Sequence, residues 1–325
     1  MKIRSFTKED ILFTEVINDL GFKVVLANLG ASIYLVRDHQ YVLNRSIYNI
    51  KDFKEKDCYY GKTIGRVSNR MRGHKIRLGD KLYEISPNES NNVLHGGLNG
   101  VSNLYFDVKT NVINNLIYVT YRKVVLEKED GYPGDLDLTV TYIVPVNENR
   151  IEIKYSAKSN KDTVLSLTNH AYWTLGCNSI NGLAIKIPAS KYLKTDEDLL
   201  PIEYHDVNEA LDFRNFKNIG KDIDDSCLHL SRLNGYDHFY LLDTKDGLSC
   251  VLKNKLYEMK VESSFEGLQI YTHGFDSHYR LYPECLPLLN SVAIEPSNSF
   301  MKLHFLRANE EYNEYIRYSF LKLEQ

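Results

Sequence analysis

The chain has no surplus of basic charge: 40 lysines and arginines stand against 43 aspartates and glutamates, a net charge of −3. So balanced a chain has little to condense on nucleic-acid phosphates or acidic lipid, which argues against both partners. No apolar run approaches the roughly 18 residues of a membrane span. Charges interrupt the first ten residues, so no secretory leader is expected. The five cysteines, Cys58, Cys177, Cys227, Cys250 and Cys285, are odd in number and scattered, with no C-x-x-C. That pattern predicts reduced thiols and a cytoplasmic protein, not a disulfide framework or structural zinc. The two N-x-S sequons, at Asn44 and Asn88, carry no weight without secretion.

Also missing are the signatures of several large enzyme classes. Gly61-Lys62-Thr63 resembles the tail of a phosphate-binding loop, but Lys56 stands where the leading glycine would have to let the backbone wrap a phosphate. There is no G-x-G-x-x-G after a strand, no G-x-S-x-G and no H-E-x-x-H, so neither a nucleotide nor a serine- or zinc-hydrolase mechanism is supported. Ten histidines invite a metal reading, yet the close pair His273 and His278 lacks a third ligand in register. No metal and no cofactor are expected.

What is present is strand. Twenty-four tyrosines, 43% hydrophobic and 26% charged residues fit a folded, β-leaning chain. Alternation over 136–142 and 151–155, with turn residues at 146–150, predicts a hairpin with one buried face. Gly79-Asp80 predicts a second, between 75–78 and 82–85. Further strands are expected at 23–28, 116–123, 164–168, 183–187, 238–242, 257–261, 268–271, 292–295 and 315–320, and a short turn of helix at 206–211. Many short strands separated by Gly, Asn and Asp predict an all-β fold, a large sandwich or barrel. No linker or repeat divides residues 1–325, so one domain is expected.

Five polar segments interrupt this strand-like sequence: Gly65-Arg66-Val67-Ser68-Asn69-Arg70, Asn92-Val93-Leu94-His95-Gly96-Gly97, Leu167-Thr168-Asn169-His170-Ala171-Tyr172-Trp173, Gly235-Tyr236-Asp237-His238-Phe239 and Ala293-Ile294-Glu295-Pro296. Each alone has an ordinary reading. His95 precedes a tight turn, His170 is a core histidine, Arg70 a solvated cation, Asp237 a turn or cap residue, and Glu295 an edge-strand carboxylate. Together and in this order they resemble the galactose mutarotase (aldose 1-epimerase) family, with Glu129-Asp130-Gly131-Tyr132-Pro133-Gly134 adding a further similar stretch. The resemblance implies a single-domain antiparallel β-sandwich of the galactose mutarotase-like kind, a supersandwich. Three departures stand out: Ser297 replaces a common Gln, Val101 and Tyr105-Phe106 replace an aromatic and a Trp, and Arg307-Ala308-Asn309-Glu310 replaces a Pro-Gly-Glu-like turn.

The implied reaction interconverts the α and β anomers of free hexoses such as galactose and glucose. A base takes the proton of the C1 hydroxyl, an acid protonates the ring oxygen, the ring opens, C1–C2 rotates, and the ring closes on the other face. Proton transfer suffices. The resemblance makes Glu295 the base, His170 the acid and His95 a second imidazole on the sugar. Neighbouring carboxylate charge is expected to raise the imidazole pKa values. Asn69, Arg70, Asp237 and Gln269 would bind hydroxyls, and Tyr172 or Trp173 would supply an aromatic wall. The partner is a small aldohexose, and the protein a monomer or homodimer. Two rivals remain. A 1-epimerase of a phosphorylated hexose would need an added cationic cluster, for which only Arg66, Arg70 and Arg72 lie close in sequence. A non-catalytic carbohydrate-binding sandwich would bind without turnover.

Overall fold

The 136–142 alternation becomes the strand Leu136–Pro145, in which Leu136, Leu138, Val140 and Tyr142 are buried while Asp137, Thr139 and Thr141 are part-exposed. It pairs antiparallel with Arg150–Ser159, in a register that sets Leu136 opposite Ser159 and Tyr142 opposite Ile153. This hairpin sits inside a nine-stranded sheet. The long strand Glu311–Lys322 joins it to Tyr257–Ser263, so strands from the middle of the sequence and from its last part are stitched into one layer. A second, eight-stranded sheet contains Asp237–Leu241, Gly267–Tyr271, Val292–Ser297 and Tyr172–Trp173 as consecutive neighbours. A five-stranded meander, from Lys2–Lys8 to Tyr41–Val42, completes the main layers. The computed structural model describes residues 1–223, 234–244, 246–272, 279–282 and 289–324. Every strand ladder among them is antiparallel, and no helix there is long and apolar enough to cross a membrane.

The period of two gives the eight-stranded sheet its two faces. Trp173, Ile270 and Ile294 turn into the main core, where Trp173 meets Tyr318 and Phe320 of the nine-stranded sheet at ring-centroid separations of 4.7 and 5.4 Å. The residues alternating with them, among them Tyr172, Tyr271 and Ala293, turn the other way and pack with Tyr60 in a smaller cluster. One face therefore holds the sandwich together and the other is free to carry a site.

The expected hairpins form, as Leu136–Pro145 with Arg150–Ser159 and as Lys75–Leu78 with Lys81–Glu84. Two expectations fail. The helical turn at 206–211 is absent: Asp206 ends the strand Pro201–Asp206, paired with Lys191, and a turn follows. The single strand expected at 164–168 is two short ones. Thr163–Val164 pairs with Phe305–Leu306, Thr168–Asn169 pairs with Thr63–Ile64, and between them Ser166 bridges to Val67. Here the chain changes partners, which overrides its local β propensity.

The cationic cluster does not form either. Arg66 is wholly buried and bonded to Asp130 through Nε at 2.7 Å and Nη2 at 3.1 Å, with Pro133, Gly134 and Val125 carbonyls taking its other protons. Arg72 lies on the surface, paired with Asp196 at 2.7 Å. The Glu129–Gly134 stretch is thus the receptor for Arg66, and two of the sequence segments are explained by one buried ion pair. Removing one partner of such a pair strands the other charge, which costs about 3–5 kcal/mol. Asp130→Ala should lose stability on that scale in urea unfolding; a change below about 1 kcal/mol would show that the backbone carbonyls suffice for Arg66.

Candidate active site

Strand register assembles one half of the site. Gln269 lies opposite Glu295, Tyr271 opposite Ala293, Asp237 opposite Tyr271, and Tyr172 opposite Ala293. Paired residues share a face, so Asp237, Gln269, Tyr271, Glu295 and Tyr172 project together from the side of the sheet away from the main core. Glu295 belongs to an interior strand of this sheet, not to an edge. The following Pro296 is tolerated because the neighbour Tyr172–Trp173 pairs only with Val292 and Ala293.

The other half comes from three loop-like segments. His170 follows Thr168–Asn169 and is pinned by its own backbone: its N–H donates to the Lys62 carbonyl at 3.0 Å and its carbonyl accepts from Gly61 N–H at 2.9 Å. Asn69 and His95 both adopt left-handed backbone, with φ of 61° and 53°. They are tied together twice, because His95 N–H donates to the Asn69 carbonyl at 3.0 Å and Asn69 N–H donates to His95 Nδ1 at 3.3 Å. Gly96 lets the turn after His95 lie against the Gly65 backbone: its φ is +90°, and a Cβ there would lie 1.8 Å from the Gly65 carbonyl oxygen. The turn reading of His95-Gly96-Gly97 and the site reading are thus both right.

These halves enclose a cavity of about 230 Å³ lined by Tyr59, Asn69, Arg70, Leu94, His95, His170, Tyr172, Leu199, Asp237, Gln269, Tyr271 and Glu295. All eight residues singled out in the sequence, Asn69, Arg70, His95, His170, Tyr172, Asp237, Gln269 and Glu295, are in that lining. Of the two aromatic candidates Tyr172 faces the cavity, and Trp173, its strand neighbour, faces the core. Tyr59, Leu94, Leu199 and Tyr271 were missed. Tyr59 had no motif around it, whereas Tyr271 could have been found two residues from Gln269 on the same strand face. Ser297 is buried opposite Gly267 and outside this lining. His273 and His278 lie outside the described residues.

Within the cavity His170 Nε2 is 3.3 Å from Glu295 Oε1, both side chains being almost fully buried. Burial pushes the Glu295 carboxyl well above its usual range, and the Asp237 charge adds to the rise while Arg70 opposes it. Glu295 Oε2, Gln269 Oε1 and Asn69 Nδ2 are buried without a hydrogen-bond partner among the described residues. Arg70 is held by Glu89 and stands 3.9 Å from Asp237, and Gln269 Nε2 donates to Asp237 Oδ1. His95 departs from expectation. Burial, reinforced by His170 and Arg70, drives its pKa well below the ordinary value, so it is neutral at pH 7. Because its Nδ1 accepts from Asn69, the proton sits on Nε2 and the ring is a donor. Desolvation and the neighbouring His170 and Arg70 set its charge state, with no carboxylate contribution to raise it.

His95, His170 and Glu295 also form the one grouping of three metal-capable donors among the described residues, with one ligand atom of each within 4.8 Å of the others. The same three groups can instead move protons. The rings of His95 and His170 meet edge to face at 5.2 Å, and Tyr59 and Tyr172 flank them.

Comparison with known proteins identifies the family. Residues 14–319 match the family described as aldose 1-epimerase. Human galactose mutarotase is 31% identical over 235 residues, 70% of this chain and 66% of that protein. The mouse galactose mutarotase is 30% identical over 283 residues, 81% of this chain and 79% of that protein. Among solved structures, a galactose 1-epimerase from Lactobacillus acidophilus superposes with a TM-score of 0.87 at 22% identity, over 99% of both chains. An aldose epimerase homologue from C. elegans gives 0.84 at 25% identity, over 99% of this chain and 100% of that one. With the family matched over nearly the whole sequence and the fold shared, the chain is a member of the aldose 1-epimerase family, an isomerase built on the galactose mutarotase-like β-sandwich.

Proposed function

We propose that the chain interconverts the α and β anomers of free hexoses such as galactose and glucose, with Glu295 as base and His170 as acid. The observation that carries this reading is the 3.3 Å contact of these two groups inside a buried cavity whose other polar groups suit hydroxyls. Glu295 takes the C1 hydroxyl proton, and the same desolvation that raises its pKa makes it a stronger base than an exposed carboxylate. His170 delivers a proton to the ring oxygen as the C1–O bond opens. After rotation about C1–C2 the roles reverse, and closure on the other face returns both protons to their starting groups. No net redox change or covalent intermediate is involved.

Neutral His95 offers Nε2–H to a sugar oxygen and so stabilises charge without competing as the acid. Arg70 and Asn69 donate to hydroxyls, Asp237 and Gln269 Oε1 accept from them, and Tyr172 covers an apolar sugar face. These roles account for the polar atoms left unpartnered in the lining. Residues 1–325 would act as one unit, and the unpatterned cysteines favour the cytoplasm.

Polarimetry of freshly dissolved α-galactose and α-glucose tests the assignment. Glu295→Gln and His170→Asn should each lower kcat by about 10²–10⁴-fold, with sugar binding largely kept. The double variant should be scarcely worse than the worse single one, because the two protons move in one coupled event. Folded single variants with near-normal turnover would refute both roles.

Dialysis against a chelator should leave the rate of anomer interconversion unchanged, since proton transfer completes the reaction. A loss restored by a divalent ion would assign the His95, His170 and Glu295 grouping to a metal instead.

A further inference from the structure

Arg70 is gripped by a carboxylate from outside the cavity lining. Glu89 takes its Nε at 2.8 Å and its Nη2 at 2.9 Å, a two-point fork that fixes the plane of the guanidinium as well as its position. The remaining edge, Nη1, is left toward the cavity and Asp237 Oδ2. Glu89 itself is not in the cavity lining and is about one-third exposed, 34%, so it works at one remove.

The turn that carries Glu89 is strapped down independently. Glu89 N–H donates to the Asn92 carbonyl at 3.3 Å, and Asn92 N–H donates back to the Glu89 carbonyl at 2.9 Å. Asn92 Oδ1 accepts from Gly73 N–H at 2.9 Å, and Asn88 Oδ1 accepts from Leu94 N–H at 2.8 Å. Leu94 lies opposite Arg70 in a short ladder, so the turn and the arginine share one frame.

We propose that Glu89 is a positioning residue for hexose binding, clamping Arg70 so that its Nη1 edge addresses the sugar hydroxyls. This rests on the hexose reading of the cavity. Without the clamp the nearest carboxylate to the guanidinium among the described residues is Asp237, at 3.9 Å. Arg70 would swing onto it and form the fork there. A hydroxyl donor and a hydroxyl acceptor would then be consumed together, while the Glu295–His170 pair stays as it is. The clamp thus acts on binding more than on chemistry.

The test compares wild type, Glu89→Ala, Glu89→Gln, Arg70→Ala and the Glu89→Ala/Arg70→Ala double variant, each checked for folding by circular dichroism. Polarimetry gives KM and kcat. Binding of 1,5-anhydrogalactitol, which lacks the anomeric hydroxyl and cannot react, gives Kd. Glu89→Ala should raise KM and Kd about tenfold, the usual worth of a charge-assisted hydrogen bond, and change kcat by less than about threefold. Glu89→Gln, which keeps one acceptor oxygen, should fall between. In the Arg70→Ala background the Glu89 effect should vanish, because the residue acts through Arg70. Wild-type KM and Kd in Glu89→Ala, or an undiminished effect in the Arg70→Ala background, would overturn the clamp. A wild type that binds the anhydrosugar in a Glu89-dependent way but does not anomerise sugars would refute the epimerase assignment while leaving the clamp standing.

Discussion

The site depends on keeping one carboxylate out of water. Glu295 is 1% exposed on an interior strand, and the Arg70 charge opposes the rise that burial causes in its pKa. Asp237, on the same sheet face, pushes the other way. A buried carboxylate answers such an environment by holding its proton more tightly, which suits the base proposed for it. The other features of the cavity follow from this constraint. His170 Nε2 lies 3.3 Å from Glu295, desolvation likewise keeps His95 neutral, and Arg70, held by Glu89, opposes the rise in the Glu295 pKa.

The scaffold makes that arrangement affordable in stability terms by separating its duties. One face of the eight-stranded sheet is apolar and packed, with Trp173 seated on Tyr318 and Phe320. The opposite face carries the polar groups at alternate positions of the same strands. Backbone hydrogen bonding thus fixes both at once, and a one-residue slip would exchange them. The loop-borne half is fixed differently, by left-handed residues at Asn69 and His95 and by a glycine that no larger residue could replace.

Much of this was legible in the sequence because period-two alternation and turn chemistry are local. The hairpins at 136–159 and 75–84 needed nothing else. The five ordered segments carry seven of the eight lining residues that the resemblance implies, and Gln269 came from the resemblance alone. What stayed hidden was long-range. The strand Lys2–Lys8 is largely exposed and shows no alternation, so it exists only through its pairing with Ile11–Ile17. The expected helix at 206–211 lost to pairing with Lys191. Arg66 looked like a site cation because its partner, Asp130, is 64 residues away. Tyr59 and Glu89 lie outside the segments that carried the resemblance, and the neutral state of His95 depends on burial, which sequence does not display.

The account is tested most directly by titrating the carboxyl of Glu295, using difference infrared spectra of wild type against Glu295→Gln. Desolvation predicts a buried carboxyl that protonates well above the ordinary value of 4.5 and is missing from the variant. A Glu295 carboxyl that titrates at or below 4.5 would contradict the account, because burial would then supply no basicity and the proposed proton transfers would lose their driving group.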